Sequence, residues 1–189
     1  MNEKIRISNN AFIYPMPVVI VGADVDGKPN YMTAAWITRV NYNPPMLSVA
    51  VGRTHHTTPA IREHGEFGIS IPGEALVAAT DYVGIVSGAK ADKSGVFETF
   101  RGGLAHAPMA RECPLTMECR VTQTIELAND DLFIADIVAA YSEDKYLTGG
   151  NPDVLKMKPF VLTMPDNHYW GIGAQLADAW SAGKEYKPS

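Results

Sequence analysis

The apolar residues of this chain occur in short runs that turn-forming residues interrupt, and this pattern limits the folds open to it. The longest uninterrupted apolar stretch, residues 16–23, already contains Pro17 and Gly22. A membrane-spanning helix needs about 18 or more consecutive apolar residues, so the sequence predicts none. The runs instead have the length and the β-branched content of strands. The sequence therefore favours a mainly β fold with many turns.

The first half of the chain predicts a three-stranded β-meander. Residues 18–21 form a β-branched run, and the Asp26-Gly27 pair that follows is a strong hairpin signal. Residues 31–40 would be the returning strand. Residues 46–51 would be the third strand, after a break at residues 43–45.

Short helices and further strands fill the rest of the chain. Thr58 as an N-cap, Pro59 in the first turn and Gly65 as a stop predict one short helix. Residues 75–83 predict a second helix, and residues 174–182 predict a C-terminal helix. Further strands are predicted over residues 66–72, 116–127, 132–141, 160–163 and 168–170. With no repeat or linker, residues 1–189 are expected to form one domain, mainly β with short helices, of the β-barrel kind.

Net charge, the first residues and the two cysteines limit the partners, the location and the thiol chemistry expected of this chain. The net charge is −5 and no five like charges occur in a row, so neither a nucleic acid nor an anionic membrane is an expected partner. The first residues lack the apolar core of a signal peptide, which predicts a cytoplasmic protein. Cys113 and Cys119 have neither zinc-binding nor thioredoxin spacing. We expect both to be free thiols that pack.

A polar loop between a strand and the first helix is the sharpest candidate for chemistry. Arg53 is a bidentate donor to phosphate, and the Thr57 hydroxyl is another donor near a helix N-terminus. A simple helix cap with a solvated arginine explains the same residues equally well.

Two further clusters have weaker signals. Residues 87–95 combine small residues with Lys90 and Lys93, which suits an anion, although such loops are more often merely exposed. Residues 30–36 place small side chains before Trp36, which would let a flat ring lie against the backbone. An ordinary strand with a packed tryptophan is the simpler interpretation. The five histidines lack ligand spacing, so no metal site is predicted.

Taken in order, these clusters resemble the flavin reductase-like, FMN-binding split-barrel family, and within it the flavoredoxin and ferric reductase branch. The resemblance spans nearly the whole chain. The segments that carry it are residues 14–19, 30–36, 43–45, 53–58, 87–88 with 92–93, and 169–173 followed by the predicted helix at 174–184.

The resemblance implies a Greek-key-like split β-barrel that forms a homodimer with FMN at the interface. It assigns the residues around the isoalloxazine ring, the residues around the phosphate and ribityl chain, and one aromatic residue near the flavin. The residues around the ring are Asn30, Thr33, Ala34, Ala35 and Trp36. Those around the phosphate and ribityl chain are Arg53, His56, Thr57, Ser87, Gly88 and Lys93, and the aromatic residue is Tyr169. No catalytic residue is assigned.

The implied activity is electron transfer through bound FMN. Electrons would come from NADH, NADPH or a protein donor and pass to free flavin, ferric iron or a partner protein. A non-catalytic FMN electron carrier and a flavin-free scaffold are the alternatives. Many family members have a histidine in the turn where this chain has Asp130 and Asp131. A carboxylate near the flavin would disfavour its anionic reduced form and lower its potential.

Overall fold

The computed structural model describes residues 3–188, and within them it contains fourteen strands and three α-helices. The strands are β1 (Met16–Pro17), β2 (Val19–Val25), β3 (Lys28–Ala34), β4 (Ile37–Asn41), β5 (Met46–Gly52), β6 (Glu66–Ile71), β7 (Thr99–Phe100), β8 (Met109–Ala110), β9 (Leu115–Glu126), β10 (Asp130–Ser142), β11 (Leu147–Thr148), β12 (Asn151–Pro152), β13 (Phe160–Thr163) and β14 (His168–Gly171). The helices are α1 (Thr58–His64), α2 (Val77–Ile85) and α3 (Val154–Met157). The mainly β character with short helices is as predicted.

The first hairpin forms where the sequence predicts it. Strands β2 and β3 pair antiparallel, with Val25 opposite Lys28. Between them Asp26 and Gly27 have φ angles of +50° and +76°. Two consecutive left-handed residues define a type I′ turn, which matches the twist of the flanking strands.

Seven strands form one antiparallel sheet in the order β3-β2-β6-β9-β10-β5-β4. The predicted single strand over residues 31–40 is wrong, because it breaks at Ala35 and Trp36 and leaves β3 and β4 at opposite edges. The predicted meander is wrong for the same reason, since β5 pairs with β4 and β10 rather than with β3. Within residues 3–188 no ladder joins β3 to β4, so the sheet is open and not a closed barrel.

The main core lies against one face of this sheet. Val21, Val49, Phe67 and Phe133 from four of its strands are fully or almost fully buried together with Ile61 of α1. Helix α1 has Pro59 in its first turn and ends at Gly65, whose φ is +65°. Its predicted ends are therefore confirmed within one residue, and each buried large apolar side chain stabilises this packing by roughly 1.5–3 kcal/mol.

The segment over residues 86–114, which contains the short strands β7 and β8, packs closely on the sheet. A Cβ atom on Gly22 would lie 2.0 Å from the carbonyl oxygen of Pro108, and one on Gly68 would lie 2.2 Å from the same oxygen. The two glycines therefore allow this segment to approach the middle of the sheet. A second buried cluster, with Tyr31 and Phe97 in edge-to-face contact, forms beneath it.

The predicted C-terminal helix is wrong. After β14 the chain continues without regular structure and then forms turns over residues 179–185. Leu176 and Trp180 are 98% and 96% exposed, so no packed apolar face supports a helix, and short helices without such packing are marginal in water. In the part of the chain that the structure describes, no helix is both long and apolar enough to cross a membrane.

Candidate functional site

Three segments that are distant in sequence meet beside the edge strand β3. They are Asn30 on β3, the loop before α1 with His56 and Thr57, and the loop after α2 with Gly88. The Asn30 Nδ2 atom donates to the Thr57 hydroxyl oxygen at 2.8 Å, and both side chains are buried. A Cβ atom on Gly88 would lie 2.4 Å from the Asn30 Oδ1 atom and 2.8 Å from the His56 Cδ2 atom. Glycine is therefore required at position 88 for the loops to close on each other.

Two adjacent cavities lie between these loops, and we call them together the Thr57 cleft. One, of about 240 Å³, is lined by Thr33, His56, Thr57, Ser87, Gly88 and Lys93 among others. The other, of about 390 Å³, shares His56, Gly88 and Lys93 with it and adds Asn30. The structure thus brings seven of the twelve predicted site residues together.

Lys93 is buried at the wall of the cleft. Its Nζ atom donates to the carbonyl oxygens of Val83 and Val86, at 3.0 and 2.9 Å, where helix α2 ends. The last carbonyls of a helix have a partial negative charge that favours a cation there, while burial lowers the pKa of Lys93. The ammonium therefore holds its loop against α2. Two of its three N–H groups donate to these carbonyls, and the third is left for another acceptor.

Thr33 of β3 contacts the same helix. Its hydroxyl donates to the carbonyl oxygen of Thr80 in α2. Gly84 lies so close that a Cβ atom added to it would be 3.0 Å from the Cβ of Thr33. Strand β3 and helix α2 therefore form a close-packed pair along the cleft.

The structure does not bring Arg53 into the cleft. Its Nη2 atom lies 3.2 Å from Glu126 and its Nε atom 3.6 Å from Asp131. The carboxylates of Glu126, at the end of β9, and of Asp131, near the start of β10, thus pair with this guanidinium. The role of Arg53 as a phosphate donor therefore stays a prediction of the resemblance.

The two aspartates at the start of β10 take part in contacts outside the Thr57 cleft. The Asp131 side chain is fully buried, and Arg62 donates to both of its oxygens, at 2.5 and 2.8 Å. The bonds from Arg62 hold the pKa of Asp131 below its usual range. Asp130 pairs with Gly52 in the β10–β5 ladder, and neither aspartate lines the Thr57 cleft.

The remaining predicted residues lie outside the cleft. Ala34 is buried in the main core. Ala35 and Trp36 line a separate apolar cavity of about 650 Å³, which we call the Trp36 groove. The Tyr169 hydroxyl donates to Asp81 of α2 at 2.9 Å, and burial, together with that bond, raises the pKa of Tyr169 to about 12. Sequence reasoning missed Asp81, since a lone aspartate on a short helix has no distinguishing motif.

The Thr57 cleft presents hydrogen-bond donors to its interior. Within residues 3–188, the backbone amides of His56, Thr57, Ser87 and Gly88 donate to no protein acceptor. The hydroxyls of Thr57 and Ser87 and the ammonium of Lys93 lie in the same lining. Amide, hydroxyl and ammonium donors that line one cleft suit an anion, so the residues present fit a phosphate-bearing ligand.

The chain is similar in sequence and fold to several known proteins. The solved structure of flavoredoxin from Methanosarcina acetivorans is 52% identical, with a TM-score of 0.95 over 97% of this chain and 98% of that one. Flavoredoxin of Desulfovibrio vulgaris (Miyazaki F) is 34% identical, with a TM-score of 0.87 over 95% and 100%. An uncharacterized protein from Archaeoglobus fulgidus is 30% identical over 76% of this chain and 81% of its own length.

The family model that matches is the flavin reductase like domain, over residues 11–156. This match covers most of the chain and confirms the resemblance that the ordered motifs predict. The chain therefore belongs to the flavin reductase like family.

Proposed function

We propose that this chain binds FMN and passes electrons through it as an oxidoreductase, with NADH, NADPH or a protein as the donor. The observation that supports this most is the set of unpaired donors in the Thr57 cleft of a chain from this family. The acceptor would be free flavin, ferric iron or a partner protein. A more distant relative, NADH:riboflavin 5'-phosphate oxidoreductase from Streptomyces pristinaespiralis, is 28% identical over 131 residues and supports a nicotinamide donor.

In this proposal the Thr57 cleft holds the phosphate and ribityl chain. The amides of residues 56, 57, 87 and 88 and the hydroxyls of Thr57 and Ser87 would bind the phosphate oxygens, and the Lys93 ammonium would offset part of their charge. Asn30 positions the Thr57 hydroxyl through its bond at 2.8 Å. FMN, when bound, supplies an acceptor for a hydride and a donor of single electrons.

The ring-binding part of the proposal places residues 33–36 along the isoalloxazine. Ala34 and Ala35 have side chains small enough for a flat ring to approach the backbone, and Trp36 is about half exposed beside them. Arg53 and Tyr169 remain predictions of the resemblance. Each of them would have to exchange a carboxylate partner for the cofactor.

A non-catalytic electron carrier is the second candidate. The structural match to two proteins named flavoredoxin favours it. Both functions need the same FMN site, so the site alone does not separate them.

An absorbance experiment separates these functions. The purified protein is mixed with FMN, freed of excess flavin and then treated anaerobically with NADH and with NADPH. Flavin bands that bleach support a reductase and name its donor, whereas bands that persist favour a carrier reduced by another protein. Absence of any retained or titratable FMN would refute both.

A pair of threonine variants tests the phosphate assignment. Thr57→Ala should weaken FMN binding by about 1–3 kcal/mol, since it removes a hydrogen bond to a charged group. Thr122→Ala, an exposed threonine on β9, is the matched control. Equal FMN affinities for the two variants would contradict the assignment.

A further inference from the structure

A further cavity, of about 380 Å³, lies where the end of the β9–β10 ladder meets the β7–β8 hairpin. We call it the Arg111 cavity. Its lining includes Phe100, Arg111, Thr116, Tyr141 and Glu143. Among residues 3–188, none lines both this cavity and the Thr57 cleft. Ligand pockets typically have volumes of roughly 300–1,000 Å³, so the Arg111 cavity is large enough for a small molecule that is not the one in the cleft.

Two aromatic rings form one wall of the Arg111 cavity. The rings of Phe100 and Tyr141 contact edge to face, with their centroids 5.0 Å apart. The Tyr141 hydroxyl donates to the buried Glu118 carboxylate at 2.9 Å. A Cβ atom on Gly102 would lie only 2.1 Å from that hydroxyl oxygen. Tyr141 is therefore held at its far end, and a wall of aromatic rings already in position suits a flat apolar ligand.

Arg111 adds a guanidinium group of which only one side is engaged. Its Nε atom lies 2.6 Å from the Glu98 Oε1 atom, and its Cζ atom lies 5.3 Å from the centroid of the Phe100 ring. These two contacts fix the direction of the side chain. Within residues 3–188, the two Nη groups donate no hydrogen bond to the protein. Two parallel N–H donors of this kind bind a carboxylate through both of its oxygens.

Thr116 adds a hydroxyl group that lacks a protein partner. Thr116 is 4% exposed and lies opposite Tyr141 in the β9–β10 ladder, so the two side chains share one face of the sheet. The Ser142 hydroxyl nearby donates to the Pro114 carbonyl oxygen at 2.7 Å. That of Thr116 has no such bond in the part of the chain that the structure describes. A buried hydroxyl needs a partner, and the cavity is the space that can hold one.

The carboxylates around the cavity already have donors of their own. The pairs, at distances of 2.6 to 2.9 Å, are Glu98 with Arg111, Glu112 with the amide of Glu98, Glu118 with Tyr141, and Glu143 with Lys145. Arg111 is the one cationic residue that lines the cavity among residues 3–188. A single cation suits a monoanion better than a phosphate dianion, which the Thr57 cleft would bind with several donors.

We propose that the Arg111 cavity binds a small aromatic carboxylate. The Nη groups of Arg111 bind its carboxylate, the rings of Phe100 and Tyr141 contact its ring, and the Thr116 hydroxyl bonds to a polar atom of the ligand. The proposal does not depend on the proposed function, because the cavity and the Thr57 cleft have separate linings.

Fluorine NMR with para-fluorobenzoate as the probe tests this site. The protein should broaden and shift the probe resonance in a saturable manner, equally with and without saturating FMN. Excess benzoate should reverse the change, whereas benzyl alcohol, which has the ring without the charge, should not. A change that does not saturate would overturn the proposal. So would probe binding that FMN abolishes or that requires FMN, since either result would place the probe at the flavin site.

A pair of arginine variants tests the placement of the carboxylate. Arg111→Gln should weaken probe binding at least about tenfold, since it removes a charged donor pair. Arg120→Gln is the matched control, because Arg120 is an exposed arginine on β9 outside the lining. Equal probe affinities for the two variants would refute the assignment.

The Thr116 hydroxyl has its own test. Thr116→Val keeps the shape of the side chain and should weaken probe binding by between about two- and tenfold, the net value of one hydrogen bond. Unchanged probe affinity in a variant whose urea unfolding curve shows an intact fold would contradict the role of this hydroxyl. None of these readouts needs flavin, so failure of FMN binding would leave them intact.

Discussion

The tight contact at Gly88 gives the sharpest test of the Thr57 cleft. In a Gly88→Ala variant the new Cβ atom would lie 2.4 Å from Asn30 Oδ1 and 2.8 Å from His56 Cδ2. Asn30 is buried and bonded to Thr57, so its amide can move only if that bond is broken or strained. The substitution therefore displaces residues on both sides of the proposed phosphate site.

The magnitude follows from the cost of overpacking a filled site, which is typically about 1–3 kcal/mol. Since about 1.4 kcal/mol corresponds to a factor of ten, FMN should bind between about five and 150 times more weakly. Quenching of FMN fluorescence during titration with protein measures this change. A urea unfolding curve of the same variant separates loss of affinity from loss of fold.

Gly95→Ala is the matched control in the following segment of the chain. A Cβ atom at Gly95 would meet no other atom within 4 Å, so its FMN affinity should equal that of the parent protein. Wild-type affinity in the Gly88→Ala variant would refute the reasoning, because it would show that Asn30, His56 and Gly88 do not surround the ligand.

Three further predictions concern the groups around the cleft and the core. Asp131→Asn should lower the free energy of unfolding at pH 7 by roughly 1.5–3 kcal/mol. Since the pKa of Asp131 is depressed in the folded protein, its ion pair stabilises the fold above about pH 4, and the difference between variant and wild type should shrink as the pH falls below that value. Urea unfolding at several pH values measures this difference. Lys93→Ala removes two hydrogen bonds to the end of α2 and should lower both the unfolding midpoint and FMN affinity, whereas Lys28→Ala, at an exposed lysine, should change the midpoint little. Burial raises the pKa of both cysteine thiols, that of Cys119 to about 12, so a thiol reagent at pH 8 should label neither until urea unfolds the protein, and rapid labelling of the native protein would contradict this.

Sequence signals predicted the elements that local chemistry determines. Asp26 and Gly27 gave the hairpin because a type I′ turn needs left-handed residues there. Pro59 and Gly65 bounded α1 because each suits one helix end. The prediction of a C-terminal helix was wrong, since a segment with apolar residues such as Leu176 and Trp180 at helical spacing is not a stable helix unless it packs on a surface.

The errors in the sheet and the unforeseen ion pairs of Arg53 have a common cause, which is the influence of distant residues. The sequence predicts one strand over residues 31–40, because the local residues do not reveal that Ile37 pairs with Val49 of β5. Arg53 has the chemistry of a phosphate donor, but Glu126 and Asp131 decide its direction. The order of motifs along the chain did group Asn30, Thr57 and Gly88, which the structure brings together, because a family resemblance contains long-range information that a single segment lacks.

The change of edge at Ala35 and Trp36 also has a consequence for how the chain folds. Two hairpins that are neighbours in sequence, β2–β3 and β4–β5, are connected through the sheet only by β6, β9 and β10. Pairings such as Val51 with Asp131 close very long loops, and such topologies fold in milliseconds to seconds rather than microseconds. The Thr57 cleft lies between β3 of the first hairpin and the loop that follows β5 of the second, so it exists only after these slow pairings form. We therefore expect the apoprotein to fold first and any ligand of the cleft to bind afterwards, with refolding rates that do not depend on ligand concentration.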